Sequence, residues 1–375
     1  MELKAFSFDG PWTQVFIGLA YDLYQQDPAW IPPFRKELLA QLSPTFPFYG
    51  RPGNDHRRFL ALSGGRPLAR CLASVNHDLR DRDGTPIGAI GWFEATDDYV
   101  AAEAVLSAAA RWLREEHGFR RIWGPLNFDI WNGYRFMTRG FDREPFHGEP
   151  YNKPYYSDFF QRFGFVARQR WNALELDAST LAQLATSGAA RAREVLANGY
   201  RFEPFDLRRF DASVETLHSV LTRSFSRFLG YTPISLPEFR CLMSVARQAL
   251  HPACSTFVYD PEGALAGFAG VFRDLGPAVR AMRGEQGPLA QLRFLYHRRR
   301  VRRLMLHVGG ITPEEAAKHS AVAKGVFGHV VGRLRAQGCE SVLATLIAQG
   351  NPVRRLFGAC ASDNRREYAL YEMNL

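Results

Sequence analysis

The segment from residue 127 to residue 156 stands out because many of its side chains can bind a polar substrate. It contains Asn127, Trp131, Asn132, Tyr134, Arg135, His147, Glu149, Asn152, Tyr155 and Tyr156. Amide, phenol and indole groups at this density suit a polar pocket with an aromatic wall, and so long a loop is rarely an idle connection. We predict that the substrate is bound by Asn127, Trp131, Asn132, Arg135, His147, Glu149 and Asn152, with Trp30 from the extended segment 27–35.

A second candidate site is a run of arginines in the C-terminal half. The run consists of Arg293, Arg298, Arg299, Arg300, Arg302 and Arg303, and it precedes a predicted strand. The whole formal charge of +9 lies in residues 200–375, whereas residues 1–199 are neutral overall. Such a run is either a solvated face or a site for a polyanion. The interleaved Phe294 and Tyr296 either pack inside the protein or stack on unpaired bases.

Several classes of protein are disfavoured by the motifs that the chain lacks. It has no GxSxG, HExxH, Walker A or complete GxGxxG motif, which argues against serine hydrolases, zincins, P-loop NTPases and Rossmann enzymes. The five cysteines are far apart and lack metal-ligand spacing, so we expect reduced, structural cysteines and no metal site. No run approaches the roughly 18 apolar residues of a membrane span, and the N-terminus lacks the pattern of a signal peptide. We therefore expect a cytoplasmic protein without a membrane partner.

Apolar periodicity and turn residues divide the chain into two halves with the same order of elements. The central strand, long helix and next strand are predicted at 87–93, 99–117 and 121–126 in the first half, and at 304–308, 320–337 and 341–347 in the second. The first half then closes with a short helix at 153–163 and a hairpin at 165–176. Residues 118–126 align with 338–346, which indicates a duplication. We predict mixed α/β sheets in two domains, residues 1–190 with the acceptor pocket and residues 191–375 with the basic donor site.

This order of elements resembles the GNAT superfamily of N-acyltransferases, and the tail at 351–373 looks like the closing segment of that fold. Five segments further resemble a group of bacterial tandem GNAT-like proteins: DPAWIPPFR (27–35), GWFE (91–94), GPLNF (124–128), GFD (140–142) and PYNKPYY (150–156). The resemblance implies amide bond formation on a small amine or amino-acid-like acceptor. It also implies that Glu94, at the end of a central strand, is the general base and that Tyr156 or Tyr155 is the acid. We expect His307, on the second central strand, to be buried and hydrogen-bonded rather than catalytic.

The donor site of that superfamily is changed in this sequence. The superfamily binds the pyrophosphate of acyl-CoA through a loop patterned Arg/Gln-x-x-Gly-x-Gly/Ala. The matching segment of the second half, 313–320, has Ala317 and His319 at the glycine positions, and the segment of the first half, 95–99, has no glycine. Without glycine, backbone N–H groups cannot easily approach a pyrophosphate. The usual mode of binding acyl-CoA is therefore disfavoured in both halves.

Three hypotheses about function follow. Leucyl/phenylalanyl-tRNA-protein transferases and Fem-type enzymes look like tandem GNAT folds that take an aminoacyl group from tRNA. We therefore favour an aminoacyl-tRNA donor held by the arginine run, with Lys318 and His319 as further phosphate contacts and with no cofactor. The second hypothesis is an N-acetyltransferase that uses acyl-CoA. The third is a non-catalytic protein that binds RNA or an acylated ligand.

Overall fold

The computed structural model describes residues 1–226, 228–318, 320–361 and 365–375. The elements of the N-terminal half are β1 (Glu2–Phe6), α1 (Gly10–Leu23), α2 (Arg35–Gln41), β2 (Asp55–Ser63), β3 (Arg66–Arg80), β4 (Pro86–Ala95), α3 (Tyr99–Glu115), β5 (Arg121–Gly124), β6 (Phe136–Arg139), α4 (Tyr156–Phe163), β7 (Val166–Asp177) and α5 (Ala178–Ala197). Those of the C-terminal half are β8 (Arg201–Pro204), α6 (Phe210–Phe225), α7 (Leu236–Ala246), β9 (Thr256–Tyr259), β10 (Leu265–Arg273), α8 (Gly276–Met282), α9 (Pro288–Arg298), β11 (Arg303–Ile311), α10 (Pro313–Lys318), α11 (Ser320–Ala336), β12 (Ser341–Ala348) and β13 (Arg365–Asn374). Short 3-10 helices cover Pro47–Gly50 and Pro352–Ala361.

The strands named above form one mixed, 13-stranded sheet. Its order is β1-β2-β3-β4-β5-β13-β7-β12-β11-β10-β9-β8, and β6 pairs with β13 beside this path. The parallel pairs β4–β5 and β11–β12 occupy corresponding places in the two halves, and each is spanned by a helical connection. This arrangement confirms the mixed α/β class and the repeated order of elements.

The closing strands cross between the halves. β13 ends the C-terminal half but lies between β5 and β7, where Tyr371 pairs with Gly124. β7 in turn pairs with β12, beginning at Asp177 opposite Ser341. The expected hairpin at 165–176 is therefore wrong, because this segment is a single strand whose two partners, β12 and β13, both belong to the C-terminal half. Apolar alternation identifies a strand but does not choose its neighbours.

Helix α5 connects the halves and crosses α11 at a contact between glycines. Its N-terminus is capped by Asp177, whose carboxylate accepts a hydrogen bond from Thr180 N at 2.7 Å. At the crossing, an added Cβ on Gly188 would lie 2.7 Å from the Cα of Gly328. The two backbones are thus in direct contact, and α11 is held in place as one wall of the cavity described below.

Three helices of the C-terminal half, α7 to α9, were not predicted from the sequence. They pack over a hydrophobic cluster to which both halves contribute, including Trp123 from β5 and Phe294 from α9. α7 begins with a capping box between Ser235 and Glu238. Glu238 also forms an ion pair with Arg51 of the N-terminal half at 2.6 Å. These helices therefore join the halves as well as covering the sheet.

Candidate active site

A cavity of about 2280 Å³ lies between the two halves. Its wall combines the loop at 125–152 with parts of α2, α6, α7, α9, α11, β11 and β12, and most of the lining side chains are apolar. Nine of the residues predicted to catalyse or to bind the acceptor line it: Trp30, Glu94, Asn127, Trp131, Asn132, Arg135, His147, Glu149 and Asn152. The sequence thus led to the polar part of one large and mainly apolar cavity.

In the N-terminal half, the gap between the parallel strands β4 and β5 is closed by the protein itself. Beyond the paired positions, Leu126 N donates a hydrogen bond to the carbonyl of Ile90 at 2.9 Å. The side-chain oxygen of Asn127 accepts a hydrogen bond from Trp92 N at 2.7 Å. A Cβ on Gly91 would lie 2.6 Å from the carbonyl carbon of Leu126, which shows how closely the segments approach. Asn127 therefore serves the fold at this point.

Two tyrosines complete this closure at the end of β4. The Tyr156 hydroxyl accepts from Ala95 N at 2.9 Å and donates to Glu94 Oε2 at 2.8 Å. The Tyr155 hydroxyl donates to the carbonyl of Ala95 at 2.9 Å. Burial, and then the charge of Glu94, raise the pKa of Tyr156 well above its usual value. Both hydroxyls are occupied by bonds to β4, and neither tyrosine lines the cavity.

Glu94 is held by several partners in the wall of the cavity. Besides Tyr156, its carboxylate faces the buried guanidinium of Arg70 at 3.7 Å and the hydroxyl of Tyr24. Arg70 also donates to the carbonyl of Phe16. Burial raises the pKa of Glu94, and the nearby Arg70 opposes this shift. A raised pKa is suited to a general base. The bonds of this carboxylate to Tyr156 and Arg70 also give it a structural role.

The helix that follows β4 has no free anion site at its N-terminus. The carboxylate of Asp98 accepts hydrogen bonds from Val100 N at 2.9 Å and from Ala101 N at 3.3 Å. These N–H groups are the ones that a phosphate would use. The first half therefore has its own carboxylate at the N–H groups to which a phosphate would bind.

The C-terminal half has an open gap at the corresponding place. β11 and β12 pair up to Leu306 opposite Ala344, and no further pairing between them occurs among the described residues. β11 continues to Ile311 along β10, whereas β12 continues to Ala348 along β7. Both diverging edges line the cavity. Two rows of backbone N–H and C=O groups therefore face each other across a wedge.

His307 lies at the narrow end of this wedge. Its Nδ1 is 3.0 Å from the Thr345 hydroxyl on the facing strand. The side chain is exposed, and its accessible surface faces the cavity. Burial among protein atoms, and then the charge of Arg135, lower the pKa of His307 to about 4. The imidazole is thus neutral at physiological pH, with Nε2 free of protein partners in the described chain.

The guanidinium of Arg135 lies in the same cavity, and two of its three nitrogens have no hydrogen-bond partner among the described residues. The side chain stacks over Tyr134 at 3.8 Å and Trp171 at 4.5 Å and bonds the Tyr134 hydroxyl. Its Nε and Nη1 have no hydrogen-bond partner among the described residues, although only 9% of the residue is exposed. Burial lowers the pKa of Arg135. A buried cation with free donors is suited to an oxygen that carries or develops negative charge.

Two other residues that were predicted to bind the acceptor substrate make contacts that hold the loop at 125–152 in place. Asn152 Oδ1 accepts from Met137 N at 2.7 Å. Glu149 forms an ion pair with buried Arg366 at 3.2 Å and bonds the Tyr368 hydroxyl. Burial raises the pKa of Glu149 to about 7, against the effect of Arg366. These contacts fasten the loop to β6 and β13.

The aromatic residues and the remaining polar residues hold the cavity wall. Trp131 Nε1 donates to the carbonyl of Thr232 in the C-terminal half at 2.9 Å. Asn132 Nδ2 donates to Asp129 at 2.8 Å. Trp30 stacks on Tyr24 with ring centroids 5.1 Å apart, and His147 N donates to Asp274 at 2.8 Å.

Of the residues predicted to bind the donor, none that the structure describes lines the cavity. Arg303 is bound by Asp274 at 2.6 Å and Glu175 at 3.6 Å. The other arginines of the run, Arg293, Arg298, Arg299, Arg300 and Arg302, precede β11, whereas the wedge opens along its C-terminal part. Lys318 pairs with Asp260 at 3.7 Å. His319 lies outside the described residues.

The sequence favours a structural role for His307, because a lone histidine in an apolar strand is usually buried and hydrogen-bonded. The structure confirms the hydrogen bond but leaves the residue exposed to the cavity. The sequence carries no signal that points to Thr345. The available signal was the pair of central strands, but the loss of pairing after Leu306 depends on strand register.

Within the described residues, no group of three or more His, Cys, Asp or Glu side chains could hold a metal ion. The same part of the chain has no helix long and apolar enough to cross a membrane.

The architecture is a tandem GNAT fold. A solved tandem GNAT protein from the clavulanic acid biosynthesis pathway superimposes with a TM-score of 0.53 at 14% identity, covering 100% of this chain and 98% of its own. Among curated proteins, the chain is 27% identical over 286 residues to "Bacterial ceramide synthase" of Caulobacter vibrioides (strain NA1000 / CB15N), covering 75% of this chain and 72% of the relative. It is 23% identical over 289 residues to "Protein YghO" of Escherichia coli (strain K12), covering 76% and 71%. No family model matches the chain. These comparisons do not support an aminoacyl-tRNA donor.

Proposed function

We propose that this protein is an acyl-CoA-dependent N-acyltransferase that joins a long acyl chain to a long-chain amine. The observation that carries the proposal is the open wedge between β11 and β12, which leads directly into the large apolar cavity. The corresponding gap in the N-terminal half is closed by Asn127 and Tyr156. We therefore propose that the donor binds in the C-terminal half.

The wedge suits the pantetheine arm of a thioester donor. That arm carries two amides, which can add to the free edges of β11 and β12 as a short strand would. Such binding relies on backbone groups and needs no glycine loop. Of the two glutamates in the segment that replaces this loop, Glu315 is buried and accepts a hydrogen bond from the Tyr200 hydroxyl at 2.7 Å. Its charge is thus turned away from a donor.

The cavity suits lipid substrates in size and lining. Its volume of about 2280 Å³ exceeds the roughly 300–1,000 Å³ of ordinary small-molecule pockets. Side chains such as Phe268, Phe272 and Met305 line it. A ceramide is the fatty amide of a long-chain amino alcohol, and one relative is named for its synthesis. We therefore propose a long-chain amino alcohol as the acceptor in place of a small amine.

His307 is the proposed general base. In the tautomer in which Nδ1–H donates to the Thr345 hydroxyl, the lone pair on Nε2 is available to the attacking amine. The amine nitrogen attacks the thioester carbonyl and transfers a proton to His307 as the C–N bond forms. The C–S bond then breaks, and CoA leaves as a thiol after taking up a proton. Arg135 supplies positive charge for the oxygen of the tetrahedral intermediate.

The test is release of free CoA thiol, together with mass spectrometry of the product, from purified protein, acyl-CoA and a long-chain amino alcohol. Each methylene buried in the cavity contributes about 0.8 kcal/mol, so kcat/KM should rise up to about fourfold per methylene until the chain fills its site. His307→Gln should lower kcat by about 10²–10⁴-fold. Glu94→Gln is the matched variant and should retain most of the turnover per folded molecule.

Several results would overturn this assignment. Turnover with acetyl-CoA equal to that with long chains would remove the lipid specificity. Loss of turnover in Glu94→Gln but not in His307→Gln would move the chemistry to the N-terminal half. Product formed from aminoacyl-tRNA and not from any acyl-CoA would replace the donor.

A further inference from the structure

Helix α9 exposes an apolar stripe to its surroundings. Its 11 residues are anchored to the protein by Ala290 and Phe294, which are buried. The opposite face carries Leu289, Leu292, Leu295 and Tyr296, all exposed, with 64% of Leu292 accessible. Leu289, Leu292 and Tyr296 follow the i, i+3, i+7 spacing of one helix face. An exposed row of this kind marks a surface that meets an apolar partner.

Positive charge surrounds this stripe. Arg293, Arg299, Arg300 and Arg302 are exposed, and Arg300 lies 4.1 Å above the ring of Tyr296. No acidic residue occurs from 286 to 313. Arg303 forms ion pairs with Asp274 and Glu175, whereas Arg293, Arg299, Arg300 and Arg302 form none with the described residues. Apolar residues interleaved with unneutralised arginines are typical of helices that lie in the surface of an anionic bilayer.

We propose that the outer face of α9 docks the protein on the surface of a membrane that contains anionic lipids. The leucines and Tyr296 enter the boundary of the acyl chains, while the arginines bind the lipid phosphates. RNA would account for the arginines alone. It would not account for exposed leucines, which have no base-stacking or phosphate-binding chemistry.

The docking face lies directly outside the cavity. Gln291 and Phe294 on the inner side of α9 line the cavity, as do Leu242 and Val245 of α7. The ends of these helices meet where Arg298 donates to the carbonyl of Gln248 at 3.4 Å. Docking thus sets the cavity wall against the bilayer. The role of this face in substrate entry rests on the proposed function, whereas the docking itself does not.

The test is co-sedimentation of the full chain with vesicles, in the absence of acyl donor and acceptor. Vesicles of phosphatidylcholine with about one third phosphatidylglycerol should bind the protein, and raising the salt concentration should weaken binding. Neutralising Arg299 and Arg302 together as glutamines should reduce the partition coefficient by about 30-fold, since each arginine contributes about fivefold. Leu289→Ser with Leu292→Ser should reduce it by at least about 100-fold, since each leucine contributes at least about tenfold.

Two control variants distinguish docking through α9 from nonspecific adsorption to vesicles. Val166 has the same exposure as Leu292, 64%, but lies on β7, so Val166→Ser should bind vesicles as the parent protein does. Arg111→Gln, on the exposed face of α3, should likewise leave binding unchanged. The proposal is overturned if anionic vesicles do not bind, or if the α9 variants bind as well as the controls. It is also overturned if tRNA competes fully and only the arginine variants lose binding. Vesicle binding without any acyl transfer would leave docking standing and would refute only the proposed function.

Discussion

Replacing Gly328 by alanine should destabilise the protein, although alanine normally stabilises a helix relative to glycine. An ideal Cβ at this position would lie 2.8 Å from the carbonyl carbon of Gly188 and 3.0 Å from its Cα. Both are backbone atoms of α5, so no side-chain rotation can relieve the contact. The two helices would have to separate along a buried interface, and α11 forms part of the cavity wall.

The size of the effect follows from two opposing contributions. Overpacking costs about 1–3 kcal/mol, and alanine recovers about 1 kcal/mol of helix propensity. Because the contact is between backbones, we expect the upper end of the cost and a net loss of about 2 kcal/mol in the free energy of unfolding. Gly332, on the same helix, has no atom within 4 Å of an added Cβ. Gly332→Ala should therefore gain about 0.5–1 kcal/mol.

Urea unfolding followed by circular dichroism measures both variants against the parent protein. The two substitutions are chemically identical and lie four residues apart, so differences in propensity largely cancel. The expected gap between them is about 3 kcal/mol. If Gly328→Ala is as stable as Gly332→Ala, the close crossing of α5 and α11 does not exist in solution.

Three further changes test the polar network and α7. Glu94→Gln leaves buried Arg70 without its carboxylate partner and should lower the free energy of unfolding by about 3 kcal/mol; an unchanged urea midpoint would show that the ion pair contributes little. Burial raises the pKa of Glu149 in the folded protein to about 7. At pH values between the pKa of Glu149 in the unfolded chain and this value, the folded protein therefore binds one more proton than the unfolded chain. Stability should therefore fall as pH rises from about 4.5 to 7, by up to about 3 kcal/mol, and Glu149→Gln should flatten this dependence in unfolding curves measured at pH 5 and pH 8. Ser235→Ala removes the hydrogen bond from Glu238 N to the Ser235 side chain and should lower the free energy of unfolding by about 1 kcal/mol. Amide hydrogen exchange should become faster in α7 alone. Unchanged exchange rates in α7 would contradict a role for this cap.

Local patterns were sufficient for elements that depend on short stretches of chain. Helix α3 was expected to begin at Tyr99 and does so, because Asp98 caps it and its apolar residues recur at helical spacing. Helix α5 was not predicted, and neither was α9, whose apolar residues occur on two opposite faces and blur the usual pattern. When two opposite faces of a helix are apolar, the sequence does not show which face packs against the protein.

The sequence by itself determined the mixed α/β class, the repeated order of elements and the polar loop at 127–156, since each depends on residue type and spacing along the chain. Only the tertiary structure decided that β13 crosses into the other half, and that β11 and β12 part after Leu306. Strand partners and register are set by contacts between residues far apart in sequence. The wedge, the setting of His307 within it and the shared cavity all follow from that register.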